Sequence, residues 1–236
     1  PVLPTPDALL RGTLFHEVLE RATDPDDPRP VQEVAEEVLR GSVPWQAVRA
    51  LWQARLMQVA PGLDAYFAKQ PGRIALRETK AAWELHDPRF TLTAKPDRVD
   101  DWPDGRVHII DYKTGAPPTA KQQKSFAKQL LLQALMVQQG AFDMLGPREV
   151  ACVTYLGLSG SSPTTMTTKI TDAVLAEVHD GFTALIRSYL DPAQGFASRR
   201  AAEKERYGGD YDHLARFGEW TLQDPSTTIR VGWTDD

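Results

Sequence analysis

The stretch GRVHIIDYKTG, residues 105–115, decides how the rest of this sequence is interpreted. Val107 and Ile109 predict a short apolar strand, which ends at the second glycine of the stretch. Side chains alternate between the two faces of a strand, so Asp111 and Lys113 are expected on the same face as these apolar residues. Taken alone, an acid beside a lysine is also typical of an ordinary ion pair at the end of a strand.

The residues before this strand predict a hairpin. Residues 89–101 alternate as a strand does, and the Pro-Asp-Gly triplet at 103–105 is typical of a tight turn. A hairpin centred on the aspartate of this turn pairs residues whose numbers sum to 208, which places Asp97 opposite Asp111 with Cβ atoms ~5 Å apart. Pro96 cannot donate to the ladder, so a small irregularity is expected there. Two facing carboxylates repel each other, and a divalent cation with oxygen ligands relieves that repulsion.

The composition is that of a soluble globular protein. The chain has 236 residues, of which 42% are hydrophobic and 25% charged, enough for one sizeable core. A net charge of −5 argues against a protein that coats nucleic acid through bulk positive charge. Binding to nucleic acid would therefore depend on local basic faces, on a metal ion or on a partner.

The sequence also predicts a location. No apolar run approaches the ~20 residues of a membrane helix, and the first residues lack the regions of a signal peptide. The single cysteine, Cys152, fits a reducing compartment. A cytoplasmic protein without a membrane partner is expected. The absence of an initial methionine suggests a part of a longer protein.

The N-terminal part is predicted to be helical. A helix over residues 5–21, with a threonine cap, carries Gly12 and His16 on one face. Glycine inside a helix costs about 1 kcal/mol relative to alanine, which suggests close approach to the backbone beside His16. A half-buried histidine on an amphipathic helix is the plainer interpretation of His16 alone. Two further helices, over 31–40 and 44–69, have the apolar spacing of packing elements.

Strands and helices alternate in the middle of the chain. Residues 73–86 are predicted to form one strand that carries Glu78, either as a solvated position or as a further acid of the site. A helix over 119–139 has three lysines at helical spacing and two glutamines one turn apart, namely Lys121, Lys124, Lys128, Gln129 and Gln133. Such a lysine stripe is usually a solvated face, but this one directly follows the Asp-Lys strand and could flank the carboxylates. A strand over 148–158 and a helix over 171–190 complete the predicted core.

Pro96-Asp97, followed after thirteen residues by Asp111-Tyr112-Lys113, spells the motif of PD-(D/E)xK nucleases. The neighbouring stretches that make the match specific are GTLFHEVLE at 12–20, KPDRVD at 95–100, IIDYKTG at 109–115 and QLLLQ at 129–133. Together they resemble the RecB-type nuclease domains of helicase–nuclease subunits. The tail GGDYDHLARFGEW at 208–220 resembles the end of the AddB subunits of proteobacterial AddAB complexes, so the resemblance covers nearly the whole chain.

This resemblance implies a fold and a set of site residues. The fold is an α/β restriction-endonuclease-like core, with a short mixed central sheet flanked by helices. Residues 1–72 would form a helical part, 73–190 the catalytic core and 191–236 an irregular tail. The implied metal ligands are His16, Asp97, Asp111 and the backbone carbonyl of Tyr112, with Glu78 as a weaker one. The implied catalytic and DNA-contacting groups are Lys113, Gln129 and, more weakly, Lys121, Lys124 and Lys128.

The implied activity is that of a Mg²⁺- or Mn²⁺-dependent exonuclease. It would cut single strands of DNA during double-strand break repair and recombination, with an AddA-like helicase–nuclease subunit and the rest of AddB as partners. Oxygen-rich ligation with one imidazole suits these metals better than zinc. Lys113 would act as a base or as a charge clamp, and both roles stay open.

Three features depart from the resembled pattern. Pro96 stands where an aliphatic residue is more usual before the aspartate. Gln133 stands where many RecB-type domains have a tyrosine. Cys152 alone cannot hold the iron–sulfur cluster that some AddB proteins carry, so none is expected, and packing of Trp220 and Trp233 would fix the chain end instead. Two alternatives also stay open: a catalytically silent DNA-binding or assembly module of the same fold, and a stand-alone exonuclease of the RecB and Cas4 type.

Overall fold

The structure, a computed structural model, describes residues 6–196, 212–221, 223–225 and 227. The chain divides into two units, residues 1–180 and 181–236. The elements in chain order are α1 (Ala8–Ala22), α2 (Val31–Ser42), α3 (Gln46–Phe67), β1 (Arg73–Arg77), β2 (Ala81–Leu85), β3 (Phe90–Ala94), β4 (Arg98–Asp101), β5 (Val107–Lys113), α4 (Ala120–Ser125), α5 (Gln129–Gln138), β6 (Val150–Gly157), β7 (Thr164–Lys169) and α6 (Asp172–Leu190).

Seven strands form two sheets in the described part of the first unit. The larger sheet has the order β1-β4-β5-β6-β7, and its β5–β6 pair is parallel while the other pairs are antiparallel. Strands β2 and β3 pair only with each other and form a separate antiparallel ribbon, the β2–β3 ribbon. The central sheet is therefore short and mixed, as the sequence predicts.

Helices cover both faces of the large sheet. One apolar cluster joins α1, α2 and α3 to the sheet face that contains Ile110 and Leu156. The other joins α5 and the first half of α6 to the face that contains Ile109 and Val153. Neighbouring residues of β5 thus enter opposite layers, which explains why this strand reads as a nearly continuous apolar run. The predicted α/β class with helices on both faces is confirmed.

The predicted hairpin is present in the predicted register. Arg98 pairs with Ile110 and Asp101 with Val107, so paired numbers sum to 208. The turn closes through the Trp102 N–H, which donates to the Arg106 carbonyl at 2.8 Å. Gly105 has φ +83°, a conformation that glycine adopts without steric cost. The expected irregularity at Pro96 does not disturb this pairing, because β4 begins after the proline.

Two predicted strands are wrong as single elements. Residues 73–86 form β1 and β2 with a break between them, and residues 89–101 form β3 and β4 with a second break. In each segment, one strand belongs to the large sheet and the other to the β2–β3 ribbon. In the first break, Glu78 has φ +45°, so it does not lie on a strand as predicted. In the second, Pro96 is buried and has no N–H to donate. The alternation of side chains expected for a strand continues through both breaks, so the sequence pattern does not show where each strand ends.

The helix predictions need three corrections. The cap of α1 is Asp7, whose side chain accepts from the Leu10 N–H at 2.8 Å, whereas Thr5 lies outside the described residues. The segment 119–139 forms α4 and α5 instead of one helix. A Cβ built at Gly12 would meet no described atom within 4 Å, so the expected close approach beside this residue is not found within the described chain.

The second unit is described only in part. Its described turn around 212–220 is closed by the Trp220 Nε1–H, which donates to the Ala215 carbonyl at 2.8 Å, and the Trp220 ring meets Phe217 edge to face. The predicted packing of Trp233 lies outside the described residues.

Candidate metal and catalytic site

The site lies at the C-terminal end of β5, where the chain brings in residues from α1, the β1–β2 connection and the segment before β4. Arg77 at the end of β1 donates through Nη1 to the Glu20 carbonyl of α1 at 2.6 Å and pairs with Asp24 at 3.0 Å. These contacts fix the polar side of α1 beside the β1–β2 connection. His16 and Glu78 are thereby brought close, although 61 residues separate them in the sequence.

His16 stands between two acids and a backbone carbonyl. Its Nδ1 lies 3.3 Å from Asp97 Oδ1 and 4.0 Å from Glu78 Oε1. Its Nε2 lies 2.8 Å from the Tyr112 carbonyl oxygen. A carbonyl only accepts, so Nε2 carries a proton and donates it there. Among the described residues, potential ligand atoms of His16, Glu78 and Asp97 all lie within 4.8 Å of one another.

Asp97 is held against β5 by a backbone contact. Its Oδ2 accepts the Tyr112 N–H at 2.7 Å, and only 9% of its side chain is exposed. Asp97 lies one residue beyond the last β4–β5 pair, Arg98–Ile110, and Tyr112 lies two residues beyond it on β5. The carboxylate therefore replaces a backbone acceptor of the ladder, which fixes its direction.

Asp111 is the most buried acid of the site, with 2% of its side chain exposed. Its Oδ1 accepts from Gln129 Nε2 at 2.9 Å, and its Oδ2 pairs with Lys113 Nζ at 2.7 Å. Lys113 also lies over the Tyr155 ring, 5.5 Å from its centre. Strand β5 and the first residue of α5 thus place an acid, a lysine and an amide in contact.

Burial raises the pKa of Asp111 to about 6, and the nearby charge of Asp97 adds to this, while Lys113 and His16 act in the opposite direction. Burial lowers the pKa of His16, but the hydrogen bond and charge of Asp97 outweigh it, so the net pKa of His16 is raised. The negative charge of Asp97 thus raises the pKa of both groups, in Asp111 as an addition to burial and in His16 against it.

The residues present fit a divalent cation. Two carboxylates, Glu78 and Asp97, meet the imidazole of His16 at a partly buried position, and such an oxygen-rich set is typical of Mg²⁺ or Mn²⁺. Asp111 is not part of this group of mutually close ligand atoms in the described chain. Asp111 and the Tyr112 carbonyl therefore stay predicted ligands. A cation would offset the charge of Asp97, which adds to the burial that raises the pKa of Asp111.

Sequence reasoning gave too little weight to Glu78 and missed Lys95. The positive φ of Glu78 and its N–H, which donates to the Asp97 carbonyl at 3.3 Å, place its carboxylate beside His16. Lys95 forms an ion pair with Glu78. Glu20 is a further acid nearby, with its pKa raised by burial and by the charge of Glu78. Its place four residues after His16 was the available signal, since such residues share a helix face.

The other predicted site residues lie on α4, just before α5 and on α5. Lys121 and Lys124 are exposed on α4, whereas Lys128 precedes α5, so the three lysines do not form a stripe on one helix as predicted. Gln133 is 3% exposed, and its Oε1 has no hydrogen-bond partner among the described residues. A buried position argues against direct contact of Gln133 with a phosphate.

Comparisons with known proteins give one family match and two solved structures of low similarity. Residues 3–209 match the family described as the PD-(D/E)XK nuclease superfamily. A solved structure of a candidate exonuclease from Eubacterium rectale has a TM-score of 0.47 and 16% identity, covering 80% of this chain and 68% of that one. The solved structure of SSO0001 has a TM-score of 0.31 and 11% identity, covering 77% of this chain and 86% of that one. No curated protein sequence matches the chain.

Proposed function

This chain belongs to the PD-(D/E)XK nuclease superfamily, and from that premise we propose that it is a Mg²⁺- or Mn²⁺-dependent deoxyribonuclease. It acts as the exonuclease domain of an AddB-like subunit in a helicase–nuclease. It hydrolyses phosphodiester bonds in single strands during processing of double-strand breaks and recombinational repair.

The main support is the contact between the acid–lysine strand and the histidine helix. Asp111 and Lys113 lie 2.7 Å apart at the end of β5, and the Tyr112 carbonyl between them accepts from His16. A fold that needed only an ion pair here would gain nothing from a second and third buried acid. Buried acids in excess of nearby cations cost stability, so their presence favours a site that binds a cation.

Each residue has a role in this proposal. The cation would be held by His16, Glu78, Asp97, Asp111 and the Tyr112 carbonyl. When bound, it would polarise the phosphate and lower the pKa of a water molecule.

The other residues orient the reacting groups. Gln129 holds one oxygen of Asp111 and so orients the carboxylate. Lys113 faces the same carboxylate and is 36% exposed, so it reaches the space where a phosphate would lie. There it either clamps the negative charge that develops during cleavage or takes a proton from the attacking water.

The proposed partners follow from the charge of the chain. A net charge of −5 gives little bulk attraction for DNA, so the proposal assigns most DNA binding to an AddA-like subunit and to the rest of AddB. None of the described helices combines the length and the apolar character needed to cross a bilayer. A cytoplasmic location is part of the proposal.

The test is a nuclease assay on single-stranded DNA with Mg²⁺ or Mn²⁺. Wild type is compared with Asp111→Ala and Lys113→Ala, and Asp172→Ala and Lys169→Ala serve as exposed controls on α6 and β7. Loss of cleavage in the first two variants alone supports the proposal. Equal cleavage in all five proteins overturns it. A wild type without cleavage under either metal favours the silent assembly module instead.

A further inference from the structure

A pocket lies at the open end of the β2–β3 ribbon, beside the candidate site. It measures about 620 Å³ and is lined by Lys80, Ala81, Ala82, Thr93, Ala94 and Lys95. The ribbon pairs Ala81 with Ala94, so the next position outward in the same register places Lys80 opposite Lys95. The pocket thus has two cations at its edge and small side chains along its wall.

The charges of this pocket favour an anion. Like charges that face each other across two strands repel unless something negative lies between them. Lys95 is paired with Glu78. Lys80 is exposed and forms no ion pair with any residue in the described ranges. The pocket therefore has one uncompensated positive charge and a second cation held at its edge.

The shape of the pocket favours a phosphate that carries a bulky group. Alternation along the strands puts Ala82 and Thr93 on the same face as the two lysines, whereas Ala81 and Ala94 pack against the apolar cluster on the other face. The small side chains of Ala82 and Thr93 leave space that a free ion would not fill, and their methyl groups suit a sugar or a base edge. Lys95 lies within one residue of Pro96-Asp97 and is bonded to Glu78, so the pocket adjoins the candidate metal site. A strand whose phosphate occupied it would continue directly toward the carboxylates.

We propose that this pocket binds a backbone phosphate of the substrate strand next to the bond that is cleaved, and that Lys95 couples this binding to the metal site. The proposal rests on the proposed function and names a substrate contact for the same site. Lys80 supplies a permanent phosphate contact. Lys95 supplies a conditional one, because its ammonium leaves Glu78 for the phosphate when Glu78 coordinates a cation.

This coupling follows from competition for one carboxylate. An ammonium and a divalent cation bound to the same carboxylate repel each other, so occupancy of one weakens the other. A phosphate in the pocket offers Lys95 a new partner and thereby favours the cation at Glu78. By linkage, the cation must favour the phosphate by the same factor.

The experiment measures binding of a dye-labelled oligo(dT) by fluorescence anisotropy, in EDTA and in Ca²⁺, with the integrity of the strand checked on a gel. The variants are Lys80→Met and Lys95→Met, and Lys169→Met on β7, at the opposite edge of the large sheet from β1, is the control with the same change of charge. Lys80→Met is expected to weaken binding roughly three- to tenfold in both conditions and to reduce the salt slope by about 0.7. Lys95→Met is expected to weaken binding only in Ca²⁺.

A second measurement does not depend on DNA. Lys95→Met removes the cation that competes for Glu78, so the affinity for Mn²⁺ alone, followed by calorimetry, is expected to rise about three- to tenfold. Lys80→Met is expected to leave it unchanged. An unchanged Mn²⁺ affinity in Lys95→Met overturns the coupling.

The remaining outcomes separate this inference from the proposed function. If both lysine variants bind oligo(dT) as wild type does while wild type cleaves DNA, the pocket is not a strand site and the nuclease proposal stands. If wild type binds no strand and cleaves none, the proposed function itself fails. Displacement of the oligonucleotide by inorganic phosphate at matched ionic strength would indicate a free-phosphate site and overturn the assignment to a strand.

Discussion

Glu78 donates its backbone N–H to the carbonyl oxygen of Asp97, 3.3 Å away, and the side chains of both residues face His16. This main-chain hydrogen bond joins the β1–β2 break to the break before β4. It therefore positions two acids of the candidate site. Since Glu78 has φ +45°, its backbone conformation is one that L-residues other than Asn and Asp adopt at a cost. An acid that persists at such a position is expected to serve the site and not the fold.

The first prediction contrasts two substitutions of Glu78. Glu78→Gly relieves the strained φ, whereas Glu78→Ala keeps it, and both lose the carboxylate. We expect the glycine variant to be more stable than the alanine variant by about 1 kcal/mol, measured by urea denaturation in EDTA. Both variants should bind Mn²⁺ at least about tenfold more weakly than wild type. Wild-type Mn²⁺ affinity in either variant would contradict a role of Glu78 in the site.

The second prediction concerns pH and Asp111. Its pKa is raised from 3.8 to about 6, so its contribution to stability is present below pH 3.8 and is lost as the pH rises through 6. His108 acts in the opposite direction, because burial lowers its pKa to about 4. Comparing an Asp111 variant with wild type cancels the contribution of His108, because both proteins contain this residue.

We therefore compare Asp111→Asn with wild type in EDTA. The stability of the variant relative to wild type should rise by about 1–3 kcal/mol between about pH 5 and pH 7.5. Saturating Mn²⁺ should make wild type the more stable of the two proteins at pH 7.5, because wild type alone then gains the binding energy. A pH-independent difference between the two proteins in EDTA would refute the raised pKa of Asp111.

The third prediction treats Gln129 as a positioning residue. Its Nε2 donates to Asp111 Oδ1 at 2.9 Å, so Gln129→Ala leaves the carboxylate free to turn. The expected result is a loss of about 10–100-fold in Mn²⁺ affinity or cleavage rate, with an upward shift of the pH midpoint of Mn²⁺ binding. Gln139→Ala, at an exposed position just after α5, is the matched control. An equal effect of the two substitutions would indicate a change in α5 alone.

The fourth prediction separates the two roles of Lys113. Lys113 lies 2.7 Å from Asp111 and is 36% exposed, a position from which a cationic side chain can contact a phosphate, so we expect the clamp role. Lys113→Arg should then retain at least about tenfold more cleavage than Lys113→Met, since arginine keeps the charge. The urea denaturation midpoint of each variant serves as the fold control. Equal loss in both variants, with a pH profile that changes shape, would favour the base.

The sequence by itself determined the hairpin and the class of fold. Turn residues at 103–105 and strict alternation on both sides fix the register of β4 against β5, because a slip of one residue would reverse every side chain. That register predicts Asp97 beside Asp111. The apolar spacing of α1 to α3 and the apolar run of β5 also follow from local pattern alone.

Tertiary structure decided which other groups join those acids. Glu78 and Lys95 meet because β1 and β2 enter different sheets, and the three residues between these strands begin with Glu78, which has a positive φ. Alternation of side chains has the same appearance whether a strand continues or turns into a second sheet, so periodicity cannot show the break. Lys128 is likewise separated from Lys121 and Lys124 by the break between α4 and α5. The local sequence pattern indicates which face of a helix or strand is buried. Contacts between elements that are distant in the chain depend on how those buried faces pack together.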